Sequence, residues 1–144
     1  SIGFAAPETP VMDLAARSAS YVNLPAQQKQ QLREKYEQLA AEDEPPFPVD
    51  GMQKISNEIV KISKRVPLLG NLHAIVLVDA QGKASNVSFM EMPAAVVSGQ
   101  VSAEKLTQIF AVALINIEYK PGLCSGRPCE MPFPVDVEFS RTPH

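Results

Sequence analysis

Cys124 and Cys129 offer the most chemistry in this chain. They are its two cysteines, and the residues between them, Ser125-Gly126-Arg127-Pro128, are turn formers. A thiol pair can cross-link, cycle electrons or hold a metal. Zinc wants four ligands, and no further Cys and no suitably placed His supplies the rest. Redox pairs usually enclose two residues near a helix start; here four intervene in a Pro/Gly turn. The spacing suits a structural disulfide formed in an oxidising compartment, with redox work and free thiols as the alternatives.

Other reactive side chains are scattered. His73 stands alone and reads as a surface or partly buried structural residue, and His144 is terminal. Glu42-Asp43-Glu44 lacks partners at metal-ligand spacing, so no cation site is expected there. Arg127 reads as a solvated turn residue, with contact to an anionic partner as the alternative. There is no G-x-S-x-G and no glycine-rich phosphate loop. The expectation is therefore no catalytic residue, no metal and no cofactor, with binding or structure favoured over chemistry. Triads assemble in space rather than in sequence, so a small hydrolase or thiol-redox protein is the rival reading.

The elements that position these residues follow from periodicity. In 133–139, Phe133, Val135, Val137 and Phe139 alternate with Pro134, Asp136 and Glu138, the period-2 pattern of a strand with one buried face. The cysteine loop would pin this strand at its start. Upstream, Leu32, Tyr36 and Leu39 at i, i+4 and i+7 predict a helix over about 25–41, ended by Pro45-Pro46-Phe47-Pro48. Asp50 is the expected N-cap of a second helix over about 52–66, with Met52, Ile55, Ile59, Ile62 and Val66 as its buried stripe. From Leu72 alternation apolar on both faces predicts a central strand, and Asp79-Ala80-Gln81-Gly82-Lys83 a hairpin into a strand over about 84–92. Ser102 caps a third helix whose wide apolar face, Leu106, Ile109, Phe110, Ala113 and Leu114, should lie on the sheet.

Composition narrows the rest. The chain has 144 residues, enough for one core plus a helical extension. A net charge of -3 without a basic stripe gives no footprint for nucleic acid and disfavours anionic membrane surfaces. No apolar run nears the ~20 residues that span a bilayer. The small apolar residues after Ser1 read either as a chain trimmed behind a signal peptide or membrane anchor, or as an ordinary domain boundary; the cysteine pair tilts toward the first. Residues 1–23, with an apolar patch at Val11, Met12 and Leu14, are expected as an extended or loosely helical arm.

Taken in order, several of these motifs resemble the periplasmic C-terminal domain of TonB-type energy transducers. The aromatic-Pro pair is Phe47-Pro48, and the G-x-V-x-V-x-V-D-x-x-G hairpin is GNLHAIVLVDAQG at 70–82. After the helix come Tyr119-Lys120-Pro121-Gly122, Gly126-Arg127-Pro128 and the alternating strand ending in Phe139. The resemblance covers about 45–139. This sequence adds a full amphipathic helix between Phe47-Pro48 and Gly70, where the family has a shorter connection.

The expected architecture is α+β, a small antiparallel sheet of about three strands packed against a helix, with an N-terminal two-helix extension. Residues 1–44 form an arm and amphipathic helix, and 45–144 the TonB-C-like domain. The resemblance implies a non-enzymatic protein-interaction module in the periplasm of a Gram-negative bacterium, linked to envelope transport. In that family a partner segment adds as a strand beside the terminal strand. Carried onto this chain, the edge is Val135, Asp136, Val137, Glu138 and Phe139. Its partner would be a protein or peptide, an outer-membrane or envelope protein or a second copy of the chain, with no nucleic acid and no membrane span. Pro132 and Pro134 protect part of the edge, and proline at Val137 is expected to block capture without unfolding the chain. An envelope assembly factor using helices 25–41 and 52–66 as its contact surface is the further alternative.

Overall fold

The computed structural model describes residues 21–140, so the expected arm before Tyr21, and His144, lie outside the described residues. A 3-10 turn, Tyr21–Asn23, leads into α1 (Ala26–Arg33), β1 (Phe47–Pro48) and α2 (Met52–Arg65). Then come β2 (Leu68–Val78), β3 (Ala84–Glu91), β4 (Ala94–Ala95) and α3 (Ala103–Ile115). The chain continues through β5 (Tyr119–Lys120), β6 (Gly122–Cys124), β7 (Arg127–Cys129) and β8 (Met131–Phe139). The fold is α+β.

β2 is the axis of the sheet. It pairs antiparallel with β3 on one side and β8 on the other, and its first residues also pair with β4. Leu72, Ala74, Val76 and Val78 are buried, and across β8 they meet Val137, Val135, Phe133 and Met131. That face shares one core with Ile55, Ile59 and Ile62 of α2 and Leu106, Phe110 and Leu114 of α3, so both helices cover the same side of the sheet. The hairpin between β2 and β3 is held by Asp79, whose Oδ1 accepts from the amides of Gln81 and Lys83 at 2.9 Å. Gly82, at φ +87°, completes the turn where a Cβ would collide with the Tyr119 carbonyl.

Helix starts follow two mechanisms. Ser102 caps α3 as expected, its Oγ accepting from the Lys105 amide at 3.0 Å. α2 is not capped by Asp50: Gly51, at φ 80°, occupies the cap position without a side-chain bond, and its amide turns back to the Pro48 carbonyl.

α1 is shorter than the expected 25–41 and ends at Arg33. The Arg33 guanidinium donates to the carbonyls of Ala40 at 2.7 Å and Asp43 at 2.9 Å. Those bonds fold the following residues into a loop instead of a continued helix. Tyr21 and Leu24 belong to the same core as the sheet, and Leu32 packs against it. The described part of the expected arm is thus built into the domain.

Candidate functional site: the outer edge of the terminal strand

β8 is fixed at its start by the β6–β7 hairpin. Ser125 and Gly126 both have positive φ, 51° and 82°, which suits a tight hairpin turn. Cys124, opposite Arg127 beside the turn, and Cys129, opposite Gly122 at the open end, are joined by a disulfide that runs diagonally across the hairpin, with Cα atoms 5.9 Å apart. The acidic triplet docks this hairpin: Glu44 exchanges two 2.8 Å backbone bonds with Leu123, and Asp43 accepts from the Ser125 amide at 3.0 Å. Arg127 stays exposed at the tip. Behind the strand an aromatic chain runs from Tyr21 to Phe47 (6.4 Å between ring centroids), Phe133 (6.1 Å) and Tyr119 (5.9 Å). Phe47-Pro48 also pairs directly with Lys120 and Tyr119, bringing two distant motifs together.

The direction of the backbone groups along β8 decides what its edge can do. In an antiparallel pair alternate residues point N–H and C=O at the partner, and those between point away. Pro132 and Pro134 have no N–H, yet they sit inside an unbroken ladder with β2, opposite Leu77 and Ile75. The hydroxyl of Tyr36 donates to the Pro132 carbonyl from outside the sheet. Even-numbered positions therefore face outward and odd-numbered ones bond β2. Pro132 and Pro134 deny donors to the first half of the edge, and the outward donors are the amides of Asp136 and Glu138. β2 is the one strand paired with β8 among the described residues.

This corrects the expectation for Val137. Its backbone faces Leu72 of β2 and its side chain is buried, so proline there would break the sheet itself. The position that tests the edge is Glu138.

The loop after α1 closes the proline half of the edge. Besides the Tyr36 hydroxyl, Lys35 Nζ lies 2.8 Å from Asp136 Oδ2. Asp136 also holds His73, whose Nδ1 is 3.1 Å from Asp136 Oδ1 across the strand pair. His73 is thus a cross-strand partner on the outer sheet face. Burial, with nearby Tyr21 adding to it, raises the Tyr36 phenol well above its ordinary pKa, and burial does the same for Tyr119. The functional detail that sequence reasoning missed is this loop; the proline alternation did carry the signal for which positions face out. Among the described residues no three His, Cys, Asp or Glu side chains group as a metal site would need, and no helix is long and apolar enough to cross a membrane.

Comparison with family models, with curated proteins and with solved structures finds no match for this chain.

Proposed function

We propose that the protein is a non-enzymatic interaction module of the TonB C-terminal type, working in the periplasm of a Gram-negative bacterium in envelope transport. It takes an extended segment of an envelope protein as an added strand along Val135, Asp136, Val137, Glu138 and Phe139. The observation that carries this reading is the outer edge of β8, where the amides of Asp136 and Glu138 point away from the sheet and Glu138 lies beyond the part covered by Tyr36 and Lys35. Strand addition needs such backbone groups, and alternating side chains then supply selectivity. The disulfide supports an oxidising compartment.

Selection of displayed peptides on the immobilised protein, followed by titration against Glu138→Pro, tests the reading. Losing one donor and stranding the partner's carbonyl costs about 2–3 kcal/mol, a weakening of roughly 30- to 150-fold. Selected peptides that bind Glu138→Pro as they bind the parent protein would falsify strand addition at this edge. So would the selection of no binder at all by a protein that stays monomeric.

A further inference from the structure

Among the described residues the outer side of α3 has no partner. Residues 109–115 read Ile-Phe-Ala-Val-Ala-Leu-Ile without a polar side chain. Phe110 and Leu114 are fully buried against the sheet, but Val112 is 58% exposed and Ile115 40%. A helical stretch that is apolar on every side, as the last two turns of α3 are after the polar start at Glu104, Lys105 and Gln108, belongs in a setting where every side is covered. Beside it, α2 and α3 bound a half-open groove of about 670 Å³, with Ile109, Val112 and Ala113 on its apolar floor. Its α2 rim carries Lys54, Lys61 and Arg65. Glu58, the one carboxylate of that lining among the described residues, bridges Lys61 at 3.2 Å and Lys54 at 4.0 Å. The rim is net positive in a chain whose net charge is -3.

We infer that this groove docks an amphipathic helix of another protein, with carboxylates flanking its apolar stripe. Apolar anchors at helical spacing would cover Val112 and the groove floor, while the flanking acids meet Lys61 and Arg65. A second copy presenting the same face would bring two net-positive rims into one interface, which like-charge repulsion opposes. A single acyl chain would leave the half-open side of the groove wet, whereas a third helix covers it and α3 together. The inference stands on α2 and α3 and is independent of the edge of β8.

The probe is a labelled Leu/Glu amphipathic peptide of about 18 residues, long enough to hold helix, compared with its Leu/Lys counterpart by fluorescence anisotropy. The Leu/Glu peptide is expected to bind at least ~10-fold more tightly, with the difference shrinking as salt screens the rim. Val112→Glu should weaken it by ~10-fold or more, and Lys61→Glu with Arg65→Glu should reverse the preference between the peptides. Unchanged thermal melting keeps either variant interpretable, and the rim pair, on exposed side chains, serves should Val112→Glu fail to fold. Equal binding of both peptides, or none, overturns the inference. Reversible dimers that Val112→Glu dissolves would assign the groove to a second copy, and stoichiometric laurate binding displaced by no peptide would assign it to an amphiphile. Either result also overturns it.

Discussion

Two neighbouring proline substitutions, Val137→Pro and Glu138→Pro, should have opposite consequences. At Val137 the ring removes an amide that bonds β2 and leaves the Leu72 carbonyl unpaired in a closed ladder. The lost bond is worth about 1 kcal/mol and the stranded carbonyl about 1–3 kcal/mol more. With strain around a side chain that is buried against the core, the total comes to about 3–5 kcal/mol. For a domain of this size each kcal/mol moves Tm by about 3–5 °C, so Val137→Pro should melt roughly 10–20 °C below the parent protein. Glu138 is exposed and its amide faces away from β2, so Glu138→Pro should stay within about 1 kcal/mol. Thermal unfolding followed by far-UV circular dichroism measures both. Equal losses, or a larger loss for Glu138→Pro, would show that the outward positions of β8 are wrongly assigned, and the strand-addition proposal would fall with them.

Replacing Cys124 and Cys129 together by Ser should cost about 1–2 kcal/mol, since the closed loop is short. Hydrogen exchange should quicken over 122–129 while the β2–β3 amides stay protected; uniform quickening would contradict a purely local staple. Tyr36 and Tyr119 hold their phenol protons more tightly when folded, because of burial and, at Tyr36, nearby Tyr21 as well. The unfolded chain releases those protons from about pH 10, so stability is complete below that pH and falls as the medium becomes more alkaline. Tyr36→Phe should lose about 1 kcal/mol at neutral pH, through its bond to Pro132, and should flatten the alkaline decline; urea titrations at both pH values check this. Gly82→Ala places a Cβ at φ +87° against the Tyr119 carbonyl, and a loss of about 2–4 kcal/mol is expected in the same titration.

Where one force governed an element, the sequence was enough to find it. β2, β3 and α2 follow from hydrophobic period alone, and Asp79 with Gly82 locates their hairpin through local turn chemistry. α1 was overextended because Leu32, Tyr36 and Leu39 satisfy helical spacing. Tyr36 instead bonds β8, and Arg33 holds the loop that takes it there. The Tyr36 bond joins residues nearly a hundred positions apart, and no local pattern encodes it. Within the candidate site, the burial of Phe133, Val135, Val137 and Phe139 was legible, as was the cysteine pair, although Pro134, expected on the open face, is buried as well. The occupation of the Pro132 carbonyl was not, nor was the use of Asp43 to dock the cysteine hairpin. The groove between α2 and α3 left a trace in the unbroken apolar run at 109–115, which reads as a wide sheet-facing surface until Val112 is seen in solvent.

The central position of β2 sets an order of events during assembly. Its long ladder along one side is with β8, which follows only after β3, α3 and the cysteine hairpin have all been passed. A nascent chain halted before Met131 would hold β2 with one flank bare and Leu72, Ala74 and Val76 only partly covered. Joining strands so remote in the chain is entropically slow. The ribosome, or any channel through which the chain is threaded, must therefore deliver the chain as far as β8 before the sheet can close.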